Sequence, residues 1–360
     1  MIVKGSGKPL NHVERAVIIQ LGDIGDVVLS FPVVRAVKEG FPDSRIMLVV
    51  REKAGGLARC CRWADRVVAV PDKKQPVVAE SRSQLRLLRQ VGNFRPDIAL
   101  DLRTGTRGAF IALISGARRR IGFYSSDGRF WRNRVFTDIW FPPPDPGIHM
   151  TEYLLGIVRA FGLDASSSQP EIMVPEDEKQ KAKTLLKDVG ADGATRLVAV
   201  QPFSLWSYKE WGDEKYAALV RRIVDRYDVR VLITGSPGEA KRAGKIAAAA
   251  GCKGVYNIAG RTGIGTLSAV IARCCLFVGG DSAGIHIAAA VNTPTVCIFG
   301  PASSTFWAPR GEKHRVVDMG WPCMPCNLKG CDGSGISRCL ETLPVDDVFS
   351  AVKYQLGIWS

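Results

Sequence analysis

The chain has 360 residues, of which 46% are hydrophobic and 23% charged, the composition of an ordinary soluble globular protein. It has no apolar run as long as a membrane span and no apolar leader in its first fifteen residues, so we expect a cytoplasmic protein. The net charge of +14 without any nucleic-acid-binding module favours a phosphorylated or membrane-borne partner over DNA or RNA.

Strand-like and helix-like segments alternate along the first half of the chain, and this alternation predicts a parallel sheet covered by helices on both faces. The predicted strands are 16–21, 45–50, 66–70, 97–102 and 120–123, and the predicted helices are 27–39, 83–91, 107–114 and 151–161. A segment rich in Ser, Gln and Pro near 164–170 is a candidate linker.

The second half repeats this pattern. Its predicted strands are 197–201, 229–235, 276–279 and 295–299, and its predicted helices are 213–225, 238–250 and 285–291. Two domains also suit the length. We therefore expect one domain over residues 1–170, a second over 171–344, and a C-terminal helix over 345–360 that packs back across their junction.

The most informative segment is the polar turn between the strand 276–279 and the helix 285–291. It carries Asp281, Ser282, Gly284 and His286. A turn from a strand into a helix amino end suits a phosphate, and ligands of open α/β sheets bind there. The alternative is that Asp281 and Ser282 only cap the helix.

A second turn, Leu21-Gly22-Asp23-Ile24-Gly25-Asp26, follows the first predicted strand. It lacks the G-x-G-x-x-G spacing of a dinucleotide site, and two carboxylates would repel a diphosphate. An aspartate at this edge can instead accept a proton from a substrate hydroxyl. Helix capping by Asp23 or Asp26 remains the alternative.

Two more strand-to-helix turns lie in the second half. In the segment 201–211, Lys209 would neutralise a phosphate, although a lysine there is often simply solvated. In the segment 234–239, Glu239 would hold a pair of ribose hydroxyls, or it caps the following helix.

Four of the ten cysteines follow the pattern Cys323-x2-Cys326-x4-Cys331-x7-Cys339. The first pair has the spacing of a zinc knuckle, so a structural zinc site is one interpretation. The irregular later spacing favours the other interpretation, four reduced thiols packed in a loop.

With these segments in view, the chain resembles glycosyltransferase family 9, the ADP-heptose:lipopolysaccharide heptosyltransferases. The resemblance covers almost the whole chain in the right order. It rests on residues 16–32, 99–107 and 120–123, then on Lys209-Glu210-Trp211, the turn 281–286, Phe299-Gly300-Pro301, Trp307-x-Pro309 and the cysteine-rich tail.

The resemblance implies an α/β fold of GT-B type, with two Rossmann-like domains facing a central cleft. The N-terminal domain would bind the acceptor and the C-terminal domain the nucleotide sugar. It further implies inverting transfer of a heptose or related sugar, without a catalytic metal, from an ADP-activated donor to a lipopolysaccharide inner-core acceptor. Such an enzyme would work in the cytoplasm, peripherally at the inner face of the plasma membrane.

Carried over position by position, the resemblance makes Asp26 the general base. The donor-binding residues would be Ser204, Lys209, Glu239, Thr262, Gly263, Asp281, Ser282, Ala283, Gly284 and His286, with Lys209 on the diphosphate, Glu239 on the ribose, and Thr262 and Gly263 beside the adenine. The acceptor-binding residues would be Asp23, Arg103, Arg107 and Arg120. The family often has glycine where this chain has Ala283.

Two other functions stay open. A nucleotide-sugar epimerase of similar architecture would release nucleotide without an acceptor. A non-catalytic nucleotide-sugar or lipid-binding protein would keep the fold without turnover. The missing dinucleotide fingerprint argues against a Rossmann dehydrogenase.

Overall fold

The computed structural model describes residues 1–72, 77–126, 130–193 and 196–358. The chain divides into two compact units, Met1–Met173 and Val174–Ser360. Within the described residues, no helix is both long enough and apolar enough to cross a bilayer.

The first unit is built on one sheet with the strand order β1-β7-β6-β5-β2-β3-β4. All neighbouring strands are parallel except β1, which runs antiparallel to β7. The strands are β1 Ile2–Lys4, β2 Arg15–Gln20, β3 Arg45–Arg51, β4 Arg66–Val70, β5 Ile98–Asp101, β6 Arg119–Phe123 and β7 Asp138–Trp140. The continuous apolar runs of β2, β3 and β5 are buried because helices cover the sheet.

The helices of this unit are α1 Ile24–Leu29, α2 Phe31–Gly40, α3 Gly55–Ala58, α4 Val77–Gly92, α5 Thr106–Ile114, α6 Phe130–Val135 and α7 Met150–Arg159. The single helix predicted over 27–39 is wrong, since α1 and α2 are separated at Ser30. Pro32 has no N–H to donate back into α1, and it is accommodated in the first turn of a new helix.

The second unit has a fully parallel sheet with the strand order β10-β9-β8-β11-β12-β13. The strands are β8 Arg196–Gln201, β9 Val229–Ile233, β10 Val255–Asn257, β11 Leu276–Gly280, β12 Thr295–Ile298 and β13 His314–Val317. The helices are α8 Glu176–Asp188, α9 Asp213–Arg226, α10 Ala240–Ala250, α11 Ile264–Ile271, α12 Ala283–Ala290, α13 Ser304–Trp307, α14 Arg338–Thr342 and α15 Val345–Ile358.

In each sheet the strand order reverses once, and each reversal positions the candidate residues of its own unit. The first chain half passes from β2 outward to β4, then returns to β5 on the other side of β2. The second half does the same around β8, with β11 on its other side. Ligands of open α/β sheets bind at such switch points. The turns after β2 and β5, and those after β8 and β11, therefore flank the expected ligand positions.

The C-terminal helix α15 packs on α9, β11, β12 and β13 of the second unit. Its buried side chains include Val348, Val352 and Leu356. These contacts account for its apolar face within that unit, and its packing across the domain junction stays a prediction. Residues 359–360 of the predicted segment lie outside the described residues.

Candidate functional site

Asp26 lies in the first turn of α1, directly after the strand β2. Its Oδ2 accepts the Asp23 backbone N–H at 2.8 Å and Arg103 Nη1 at 3.1 Å. A Cβ on Gly22 would lie 2.3 Å from this same Oδ2, so only glycine leaves room for the carboxylate here. The Asp26 side chain is 11% exposed, which leaves part of its edge accessible.

Asp23 stands on the same turn in different surroundings. Its side chain is 50% exposed, and its Oδ1 lies 2.5 Å from Lys53 Nζ and 3.8 Å from Arg51 Nη1. Two cations thus already neutralise this carboxylate. The structure separates the two aspartates, giving Asp26 the partly buried position beside the switch point.

Arg103, which contacts Asp26, is held by a buried ion pair. Its backbone N–H donates to Asp101 Oδ1 at 3.2 Å, and its backbone carbonyl accepts Arg132 Nη2 at 2.7 Å. Asp101 and Arg132 are fully buried, with Arg132 Nη2 3.5 Å from Asp101 Oδ2. Burial raises the pKa of Asp101 to about 7, although Arg132 acts in the opposite direction.

The sequence reasoning did not select Asp101 or Arg132 as site residues. The available signal was an aspartate closing the otherwise apolar strand β5. Arg132 gave no local signal, because it lies on α6 and meets Asp101 only in the folded chain.

The two remaining acceptor candidates differ in position. Arg107 lies at the start of α5, beside the turn that follows β5, and its Nη1 donates to the Pro71 carbonyl at 2.9 Å. Arg120 lies toward the amino end of β6, where its guanidinium donates to the carbonyls of Ala117 and Val135, both at 2.7 Å. The structure does not bring Arg120 to the edge that holds Asp26, because these carbonyls at the opposite edge hold its guanidinium.

In the second unit, the turns after β8 and β11 meet. Lys209 Nζ lies 2.5 Å from Asp281 Oδ2, and Ser204 Oγ donates to the Asp281 carbonyl at 3.3 Å. The Lys209 side chain is 21% exposed and that of Asp281 is 8% exposed. Three predicted donor residues therefore stand together at the switch point, and the Lys209 side chain is partly accessible.

The start of α12 packs closely against β8. Gln201 Nε2 donates to Ser282 Oγ at 3.1 Å. A Cβ on Gly284 would lie 2.5 Å from both Gln201 Oε1 and Phe277 Cζ. Gly284 is therefore needed for this close approach, while Ala283 beside it is half-buried and His286 is buried one turn into the helix. Gln201 was missed as a site residue, and its signal is a polar side chain ending an apolar strand.

The last donor candidates lie at the neighbouring strand β9. Glu239 Oε2 accepts the Ser236 backbone N–H at 2.6 Å, so the capping role holds in the structure. Gly260 N–H donates to the Gly235 carbonyl at 2.9 Å, which joins the loop carrying Thr262 and Gly263 to the Glu239 turn. These residues border the same sheet edge as Lys209.

The zinc hypothesis finds no ligand set in the described part of the chain. No three His, Cys, Asp or Glu side chains stand together there as metal ligands. Of the four tail cysteines, Cys323 is exposed and Cys339 is buried against the core of the second unit.

Comparison with known proteins identifies the family of this chain. The profile of glycosyltransferase family 9 (heptosyltransferase) matches residues 84–336. The chain belongs to glycosyltransferase family 9. This family 9 chain is 25% identical over 334 residues to lipopolysaccharide heptosyltransferase 3 of Escherichia coli (strain K12), across 91% of this chain and 94% of that protein.

Solved structures show the fold. The glycosyl transferase family 9 protein from Veillonella parvula DSM 2008 superposes with a TM-score of 0.82 at 20% identity, over 98% of this chain and 99% of that chain. The E. coli ADP-heptose lps heptosyltransferase II gives a TM-score of 0.75 at 21% identity, over 95% and 98% of the two chains. The predicted GT-B fold with two Rossmann-like domains is confirmed, and the protein is a glycosyltransferase. The roles of individual site residues stay predictions.

Proposed function

We propose that this family 9 glycosyltransferase transfers a heptose, or a related sugar, from an ADP-activated donor to the inner core of a lipopolysaccharide, with inversion. One observation carries the proposal: each sheet has its predicted polar turn at its own switch point, with Asp26 on one and the Lys209–Asp281 pair on the other. The names of two relatives, a lipopolysaccharide heptosyltransferase and an ADP-heptose lps heptosyltransferase, support the choice of donor and acceptor.

On the donor side, the leaving group of the proposed reaction is a nucleoside diphosphate. Lys209 has three donors, so it can contact a phosphate oxygen and keep its bond to Asp281. The amino end of α12 adds backbone N–H groups and the positive end of a helix dipole. Both stabilise the negative charge that grows on the diphosphate. Glu239 would accept the ribose hydroxyls, and the loop of Thr262 and Gly263 would border the adenine.

On the acceptor side, Asp26 would take the proton of the attacking hydroxyl. The oxygen then forms its bond to the anomeric carbon on one face while the bond to the diphosphate breaks on the opposite face. The electron pair of that bond leaves with the diphosphate. The Asp23 N–H and Arg103 fix the orientation of the Asp26 carboxylate. Arg103 and Arg107 would attract a phosphorylated acceptor.

In this scheme the charge on the leaving group is balanced by protein groups, so no catalytic metal is needed. We expect full turnover in excess EDTA. Elemental analysis of protein purified without a histidine tag tests the tail cysteines separately: near one equivalent of zinc would support a structural site, and absence of zinc and iron would exclude it.

The decisive experiment incubates the protein with a panel of nucleotide sugars and deacylated lipopolysaccharide cores, followed by mass spectrometry of the products. We expect one heptose to be added to the core, with ADP-heptose as donor. Release of nucleotide without an acceptor would indicate the epimerase instead. Donor binding without any product would indicate a binding protein.

A further inference from the structure

Three neighbouring helices of the first unit expose large apolar side chains. The helix α5 packs against both α4 and α6. The exposed side chains are Leu85 at 46% and Leu88 at 37% on α4, Phe110 at 42% and Leu113 at 48% on α5, and Trp131 at 38% on α6. We call these five residues the apolar row.

The apolar row is separate from the buried core of the first unit. On α4, Leu87 and Val91 turn inward and are buried, and on α5 Ala109 and Ile111 are buried in the same core cluster. Each helix therefore has one apolar side packed against the sheet and further apolar side chains on its outer surface. A helix that needs only one buried face normally has a polar outer face.

The surface around the apolar row carries positive charge. Arg82, Arg86 and Arg89 on α4 are exposed, as is Arg118 after α5. Across the described residues, none of these four arginines takes part in a salt bridge. Apart from Glu80 near the start of α4, the three helices contain no aspartate or glutamate. The face is therefore apolar and basic.

We propose that this face docks the protein onto an anionic lipid bilayer. The apolar row would enter the boundary between headgroups and acyl chains, and the arginines would contact anionic headgroups. A second copy of this chain fits less well, because a symmetric contact would place arginines against arginines. The inference rests on the proposed function for one point only: a lipid-linked acceptor would explain why the protein binds a membrane.

The position of α5 suits that reason. Its amino end carries Arg107, four residues after Arg103 in the sequence, and Leu113 lies six residues further along. At about 1.5 Å per residue this is roughly 9 Å. A bilayer on this face would therefore hold a lipid-anchored sugar near the predicted acceptor residues.

The test for charge is co-sedimentation of the full-length protein with vesicles of phosphatidylcholine alone or mixed with phosphatidylglycerol. We expect binding only to the anionic vesicles. Each arginine at such a surface contributes about fivefold in affinity. The triple variant Arg82→Gln/Arg86→Gln/Arg89→Gln should therefore bind on the order of a hundredfold more weakly. The matched control Lys241→Gln/Lys245→Gln/Lys253→Gln removes the same charge from exposed positions of the second unit and should bind like the unmutated protein.

The test for the apolar row compares Phe110→Ser/Leu113→Ser with the control Met173→Ser/Ile358→Ser, whose residues are 56% and 51% exposed. We expect at least about a tenfold loss of vesicle affinity for the first pair only. Equal binding of the test and control variants, in either comparison, would overturn the proposal. So would a change in oligomeric mass of the Phe110→Ser/Leu113→Ser variant, because it would mark a subunit interface.

Transfer to a deacylated, water-soluble acceptor should be unchanged in all four variants. This assay separates the two ideas. If the unmutated protein transfers no sugar but binds anionic vesicles through this face, the proposed function fails and the docking face stands.

Discussion

Two carboxylates three residues apart, Asp23 and Asp26, show how much a single side chain depends on its partners. Both were candidates from the turn alone. In the folded chain, Lys53 and Arg51 neutralise the exposed Asp23, whereas the partly buried Asp26 receives one N–H and Arg103. Asp26 also caps α1 through the Asp23 N–H, so the capping alternative holds in the structure, and the proposal of Asp26 as the base rests on its partly buried position beside the switch point.

We predict that Asp26→Asn lowers transfer by roughly 10²–10⁴-fold, the usual contribution of a general base, because the amide cannot accept the proton. Binding of ADP should be almost unchanged in calorimetry. Asp23→Asn is the matched control, and its turnover should stay within a few-fold of the unmutated protein. A larger loss of turnover for Asp23→Asn than for Asp26→Asn would indicate that Asp23 is the general base.

A second residue-scale prediction concerns the Lys209–Asp281 pair. Lys209→Ala should weaken ADP binding by about 1.5–3 kcal/mol, because a charge-assisted bond to phosphate is lost. Asp281→Ala should also weaken it, since Lys209 loses the partner that orients it. Isothermal calorimetry measures both, with the exposed Lys241→Ala as control. Unchanged ADP affinity in both variants would contradict the prediction that the donor binds at this turn.

At the scale of elements, the donor turn depends on how closely α12 approaches β8. The Gly284→Ala variant places a Cβ 2.5 Å from Gln201 Oε1 and Phe277 Cζ. We expect the free energy of unfolding to fall by about 1–3 kcal/mol, the usual cost of overpacking.

Urea unfolding measures this effect. The control is Gly244→Ala in α10, where the nearest neighbour of the new Cβ is an ordinary 3.5 Å away. Alanine there should stabilise the helix by up to about 1 kcal/mol. Equal stability of the Gly284→Ala and unmutated proteins would mean that β8 and α12 move apart easily.

Most central elements were predictable, and most edge elements were not. The apolar runs of β2, β3, β8 and β11 stand out in the sequence because these strands are buried in the middle of their sheets. The strands β1, β10 and β13 have only three or four residues each and lie at sheet edges. So short a segment shows no readable periodicity, and its pairing depends on a neighbour far away in the sequence.

At the scale of the whole molecule, the buried Asp101–Arg132 pair should make stability depend on pH. Burial raises the pKa of Asp101 from its usual 3.8 to about 7. Between these values the folded protein holds the proton and the unfolded chain has lost it, so stability falls as the pH rises through this window.

We predict that Asp101→Asn removes this part of the pH dependence. The measurement is the urea-unfolding free energy of both proteins at several pH values between about 4 and 8. An identical slope in the two proteins would show that Asp101 does not titrate in this range.

The sequence by itself determined the α/β alternation in two halves and the four strand-to-helix turns, because apolar runs and the Gly, Asp and Ser residues that end them are local features. Only the tertiary structure decided which side chains meet. Lys209 contacts Asp281, which lies 72 residues away in the sequence, and Arg103 contacts Asp26, which lies 77 residues away. The tertiary structure also decided that the Arg120 guanidinium donates to backbone carbonyls at the far edge of the sheet. Such pairings follow from strand order, and strand order is set by the packing of the whole sheet rather than by any local pattern.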